Sequence, residues 1–350
     1  MPRRGDQDSQ GRFAAFIEAL VDVIGHADRA SPLRHYCTGL LMPAERKSVE
    51  PIAALTAPSR VAAQHQSLLH FIGQSAWSDA AVLAKVRALT LPALEGSGPV
   101  EAWIIDDTGL PERGRHSVGV TRQDCGRLGK QDNCQVAVSL SVAKEAASLP
   151  VAYRLYLPQD WAGDPARRAK AGVPESVTFQ TKPEIALDQI RAALEAQIPP
   201  GVVLMDAGYG PDTALRTGVS GLGLTYVAGV QPHTSVWTRS NPPPPVRPWS
   251  GRGRPPTRLR RWREGSLDPL TSRFAGLRVR AAHRDDHLGE PRPEAWLLIE
   301  WPAEEKEPTK YWLSTLPEDI AFHRLVHLAK LGWRIERDYQ ELKQELGLGP

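Results

Sequence analysis

WIIDDTG at residues 103–109 and VVLMDAGYG at residues 202–210 are the two stretches on which the fold turns. Each begins as an apolar, β-type run and ends on an aspartate, Asp106 in the first and Asp206 in the second. A short apolar run closed by turn-forming residues reads as a buried strand. An aspartate closing such a strand projects into the crevice at the sheet edge, where α/β folds place ligands. A plainer reading stands beside this one. Asp-Asp-Thr is ordinary turn chemistry, and Gly208 and Gly210 permit a tight turn with or without a ligand. A third stretch, LAKLGWRIERDYQELKQEL at residues 328–346, has helical periodicity. Glu336 and Lys343 lie two turns apart on one of its faces. Alone it would be a solvent face laced with i,i+4 ion pairs. Two strand carboxylates and a helix carboxylate in this order can converge on divalent metal, which suits phosphodiester chemistry.

Outward from these stretches the periodicity changes twice. Residues 12 to about 92 have helical spacing, in segments 12–27, 45–56, 59–74 and 79–90, with Ser59 and Ser78 as N-caps. This is a small helical domain, either a plain bundle or one that contains a helix-turn-helix pair. Strands are expected at 100–108, 134–144 and 148–158, as an antiparallel meander. A helix (182–197), a strand (201–210), a short helix (212–219) and a strand (222–230) follow. This order predicts an α/β fold, a mixed sheet flanked by helices, preceded by an all-α N-terminal domain. Residues 241–264, NPPPPVRPWSGRGRPPTRLRRWRE, are too rich in Pro and Arg to pack regularly. Strands at 276–286, 294–302 and 309–317 come next, so residues 231–308 read as a β-rich insertion. The boundaries expected are 1–95, 96–230, 231–308 and 309–350. A final helix runs from about 317–319 to Leu346.

The chain has 350 residues, 41% hydrophobic and 24% charged, enough for a sizeable core in two or three units. Its net charge is only +3, but between Arg239 and Arg263 there are eight arginines and no acidic residue. Such a run is a solvated linker or a nucleic-acid contact. Cys37, Cys125 and Cys134 make neither a disulfide framework nor a zinc site. The pairs His283/His287 and His323/His327 have i,i+4 spacing, but nothing completes a zinc motif, so they read as surface or cap histidines. The N-terminus lacks the apolar core of a signal peptide, and no apolar run reaches membrane-spanning length. A cytoplasmic protein is expected.

The ordered set of carboxylates comes with longer matches. LLHFIGQSAWSD, SVGVTRQDCGRLGKQDNCQVAVSLS (117–141), YRLYLPQDWA, KYWLSTLP and LGWRIERDYQELKQELGL resemble the DDE transposases of bacterial insertion sequences, nearest the insertion-sequence 701 group of the insertion-sequence 4-like superfamily. The resemblance implies a ribonuclease H-like catalytic domain and DNA transposition. It implies Asp106, Asp206 and Glu336 as the catalytic, metal-binding triad for Mg²⁺ or Mn²⁺, two ions in all. The implied partners are double-stranded DNA with terminal inverted repeats, target DNA and further copies of the chain, with no membrane. The cytoplasmic protein would be bacterial and nucleoid-associated when bound to DNA.

Around the glutamate that superfamily carries Tyr-x2-Arg-x3-Glu-x6-Lys. Glu336 and Lys343 match, while Ala329 and Gly332 stand at the tyrosine and arginine positions. Phosphate contacts are therefore assigned to Lys343, with Arg334 or Arg337 in place of the missing arginine. Arg258, Arg260, Arg261 and Trp262 of the insertion are assigned to DNA by charge and stacking. Arg122, Arg127 and Lys130 are further phosphate candidates or simply a basic surface hairpin, and Asp107 is a supporting acceptor behind Asp106. Relatives of this kind continue past the glutamate helix, so a truncated chain is expected. That expectation supports a second function, that of a non-catalytic DNA-binding relative. Two rival activities fit fewer of the residues, a two-carboxylate glycoside hydrolase and a structure-specific nuclease.

Overall fold

The computed structural model describes residues 4–44, 46–238, 274–282, 292–302 and 305–346. The chain forms two compact units, Met1–Pro99 with Arg334–Pro350, and Val100–Trp333. In the first unit, α1 (Arg4–Val21), α2 (Ala30–Leu41), α3 (Val49–Thr56), α4 (Val61–Gly73) and α5 (Asp79–Glu95) follow in order. Leu20, Ile24, Leu33 and Phe71 form one small core, with Trp77 stacked on Phe71 at 5.9 Å. Ile52, Ala53 and Leu68 form another. The pattern does not announce α2, because Pro32 and Gly39 read as breakers. Gly39 has a packing reason instead: a Cβ there would lie 2.4 Å from Ile52. Ser78 caps α5 as expected, accepting from the amide of Ala81 at 3.2 Å. α1 starts earlier than expected, at Arg4.

The second unit is built on one sheet. Its strands are β1 (Ala102–Pro111), β2 (Thr121–Cys125), β3 (Lys130–Lys144), β4 (Ala147–Leu155), β5 (Val202–Met205), β6 (Tyr226–Val230), β7 (Val236–Thr238), β8 (Phe274–Ala281), β9 (Ala295–Glu300) and β10 (Lys310–Ser314). β1 pairs antiparallel with β3 along its full length and parallel with β5 on its other side. β3 is long enough to carry two partners on its outer edge, β2 against its first residues and β4 against the rest. The order β4-β3-β1-β5-β6 is the ribonuclease H-like mixed sheet, antiparallel on one side of β1 and parallel on the other. Buried residues run without alternation through Ala102–Ile105 and through the whole of β6. Strands covered on both faces read this way.

Helices of this unit are α6 (Gln159–Ala162), α7 (Pro165–Lys170), α8 (Lys182–Glu195), α9 (Thr213–Gly221) and α10 (Phe322–Leu331). α8 starts at a capping box between Thr181 and Glu184 and buries Ile185, Ala186, Gln189, Ile190 and Ala193. It packs on β3 and β4, and α10 packs on β5 and β6.

The strands within residues 231–308 extend the sheet: β9, β8 and β7 continue it from β10. β2 and β3 form a hairpin that carries exposed Arg122 and Lys130. One sequence expectation is corrected here. The last helix is two, α10 and α11 (Trp333–Leu346), divided at Gly332, which ends α10.

α10 is tied to the entrance of β1. The Glu101 carboxylate accepts from Arg324, from His327 at 3.1 Å and from the amide of Glu145 at 3.1 Å. His327 is thus a structural tether and not a surface histidine. Burial pushes the Glu101 carboxyl up, but Arg324, the Glu145 amide and His327 together hold it below its ordinary value. A depressed carboxylate stabilises the fold above its unfolded pKa, and that contribution is lost as pH falls through the folded value. Glu101→Gln should cost about 1–2 kcal/mol at neutral pH in denaturant unfolding. The gap from wild type should close below about pH 4.

Candidate active site

The register of β1 and β5 pairs Ile105 with Met205. The residue that follows each is an aspartate, Asp106 within β1 and Asp206 just past the end of β5. β5 ends at Met205 while β1 continues to Pro111 in its pairing with β3. The parallel pair therefore opens where both carboxylates stand. Asp106 holds its own place: its Oδ1 accepts from the Asp107 amide at 2.8 Å, and its carbonyl accepts from the buried Ser139 hydroxyl at 3.3 Å.

Asp206 begins a tight turn. Its Oδ1 accepts from the amides of Gly208 at 2.9 Å and Tyr209 at 3.1 Å, and its carbonyl accepts from Gly210 at 2.8 Å. The glycines are required by close approach. A Cβ on Gly210 would lie 1.9 Å from the carbonyl oxygen of Gly229, and one on Gly229 would lie 2.8 Å from the Ala207 nitrogen. The turn thus rests directly on β6. Buried Arg216 fastens it from below, donating to the Gly210 carbonyl and to Thr213 at 3.2 Å.

Asp107 links the two aspartate segments. Its Oδ2 accepts from Lys182 Nζ at 2.8 Å, at the start of α8, and from the Tyr209 hydroxyl at 3.3 Å. Tyr209 is 3% exposed. Burial, then the negative charges of Asp107, Asp106 and Asp206, push its hydroxyl far above its ordinary value, so it stays protonated and donates. All three carboxylates act on one hydroxyl. The sequence points to Asp107 as an acceptor behind Asp106; here it accepts from Lys182 and Tyr209. Tyr209 and Lys182 are new: nothing in their spacing marks them, because their partner is distant in the chain. Cys125 and Cys134 pack together nearby as free thiols, and burial followed by Cys125 pushes Cys134 up to about 11.

Hard carboxylate oxygens fit Mg²⁺ or Mn²⁺. Among the described residues, no three His, Cys, Asp or Glu side chains are grouped to hold a metal ion. Asp107 is engaged by Lys182.

The other expected residues fall as follows. Glu336 stands exposed in the first turn of α11, in the helical unit. Arg334 is paired with Asp338 at 2.8 Å and Arg337 with Glu341 at 2.6 Å, both along the helix. These are the i,i+4 pairs of the plainer reading. The side chain of Lys343 lies outside the described residues, as do that of Arg127 and all of Arg258, Arg260, Arg261, Trp262, His283 and His287. Arg122 and Lys130 are exposed on β2 and β3.

Residues 19–286 match the family of DDE superfamily endonucleases. The chain belongs to that superfamily. The matched span contains Asp106 and Asp206, and Glu336 lies beyond it. The chain is also 28% identical over 194 residues to a protein of Microchaete diplosiphon described as a probable transposase for insertion sequence element IS701. That match covers 55% of this chain and 47% of the relative, so the chain spans about half the length of the relative it matches. No helix among the described residues of this DDE endonuclease is long and apolar enough to cross a membrane.

Gly210→Ala should destabilise the fold by about 1–3 kcal/mol, because the turn cannot move off β6. Gly221→Ala, where an added Cβ meets nothing within 4 Å, should be neutral or slightly stabilising. Denaturant midpoints of the two variants check the contrast.

Proposed function

We propose that this DDE endonuclease is a transposase that cuts DNA at the ends of a mobile element and joins them to target DNA. The observation that carries this reading is that Asp106 and Asp206 each follow directly on the last in-register pair of two parallel strands, Ile105 with Met205, in a chain of this superfamily. Glu336 is the third ligand in this reading, supplied from α11. Asp106, Asp206 and Glu336 would hold two Mg²⁺ or Mn²⁺ ions. When bound, such ions neutralise phosphate charge and activate the attacking oxygen.

The chain's own residues set up that chemistry. Asp106 and Asp206 carry like charge and both act on the Tyr209 hydroxyl, so a cation shared between them is favoured. Asp107 is neutralised by Lys182 and braces Tyr209 across the opening, which limits how far the Asp206 turn can shift. Element ends with inverted repeats, target DNA and assembly into a homo-oligomer belong to this proposal. So do phosphate contacts by Lys343 and the arginines of the Pro-rich segment.

Nicking of supercoiled plasmid with Mg²⁺ tests it. Wild type should nick and should stop with chelator. Asp206→Asn and Glu336→Gln should each lose at least about 100-fold in rate while still binding DNA. Nicking by Asp206→Asn at the wild-type rate would refute the assignment, and binding without nicking by wild type would identify a non-catalytic DNA-binding protein.

A further inference from the structure

Beyond β1 the chain enters a loop, residues 112–120, with no regular structure. Loops of this kind normally leave their carbonyls to water. Here side chains capture them in turn. Asn133 Nδ2 donates to the carbonyls of Glu112 at 2.6 Å and Gly114 at 2.8 Å. Gln135 donates to Val118 at 2.6 Å and Gln123 to Gly119 at 3.3 Å. Arg167 donates to Arg115 at 3.0 Å and to Val120 at 3.2 Å, and the Trp161 indole donates to Val120 at 2.8 Å. Arg167 is itself fixed, its guanidinium 3.7 Å from the Trp161 ring centroid. The loop backbone is therefore held from the protein side.

What the loop turns outward is basic. Arg113, Arg115 and His116 are exposed, and exposed Arg122 follows on β2. Lys130 is paired with Asp132 at 3.3 Å, and Arg122 acts on Asp132 only from a longer distance. Among the described residues no carboxylate lies within ion-pair distance of Arg113, Arg115 or Arg122. Glu112, the acidic residue of the loop, is half-buried. Rigid backbone with outward guanidinium groups suits a repetitive anionic surface, because little loop order has to be lost on contact.

We propose that the 112–120 loop, together with Arg122, is a preorganised arm that tracks the DNA phosphate backbone beside the cleavage site. The inference rests on the reading of DNA as substrate and adds where on it the protein holds. From Asp106 to Pro111, β1 advances about 17 Å at its usual rise. In this proposal the duplex runs along β1; one of its strands advances about 3.4 Å per phosphate, which sets the arm about five nucleotides from the one being cut. Arg rather than Lys at all three positions fits bidentate phosphate contact.

The test uses the full-length protein and a duplex of about 30 base pairs, with affinity measured across a salt series. Arg113→Ala/Arg115→Ala/Arg122→Ala should flatten the slope of log affinity against log salt by about 2–3, near 0.9 for each lost contact. Replacing the same three residues by Lys should restore the slope. Phosphate ethylation of the duplex should interfere with wild-type binding about five nucleotides from the nick and lose that effect in the triple-Ala variant. An unchanged slope, or interference confined to other phosphates, overturns the arm. If wild type nicks plasmid while the slope is unchanged, the arm alone falls. If wild type neither binds nor nicks DNA, the transposase reading falls and takes the arm with it.

Discussion

The parallel pairing of β1 with β5 is the constraint on which the site depends. Its register places Ile105 beside Met205 and so brings Asp106 beside Asp206, though 100 residues separate them. A shift of one residue would turn one carboxylate to the opposite face of the sheet. The register is held by burial: Trp103, Ile105, Val203 and Met205 are all within a few per cent of fully enclosed. Beyond these residues the pair opens, because β5 stops and the Asp206 turn leaves the sheet. The core thus delivers two charges to a solvent-accessible end without burying either at its centre, where desolvation would oppose ionisation.

The turn is fixed by contact more than by charge. Gly210 and Gly229 let two backbones meet at distances that no side chain permits, and Arg216 ties the turn to α9. Above it the charges are divided. Asp107 is matched by Lys182 and receives the Tyr209 hydroxyl, while Asp106 accepts from the Asp107 amide and Asp206 from the amides of its own turn. Adjacent residues Asp106 and Asp107 therefore have different roles, set by what each faces. A similar division separates the loop beyond β1 into captured carbonyls and outward guanidinium groups.

Much of this was legible in the sequence because the information is local. Apolar runs ending in Asp106 and Asp206 mark the central strands, and the apolar spacing of residues 182–197 marks α8. The mixed sheet follows from the order of those elements. What was hidden depends on distant partners. Lys182 reads as a helix-start lysine until Asp107 is placed beside it, and Tyr209 reads as turn filler between two glycines. β2 carries few apolar residues, and its pairing with β3 is what makes it a strand. The break at Gly332 was outweighed by the continuous apolar stripe on either side of it. His327 looked like a surface histidine for want of Glu101, which lies 226 residues away.

Binding of Mn²⁺ to the full-length protein, measured by titration for wild type, Asp106→Asn, Asp206→Asn and the double variant, tests the shared site most directly. If both carboxylates hold the same ion, each single change should weaken binding by at least about tenfold, and the double change should add far less than the product of the two. Independent, multiplying effects, or wild-type affinity in either single variant, would contradict a common site.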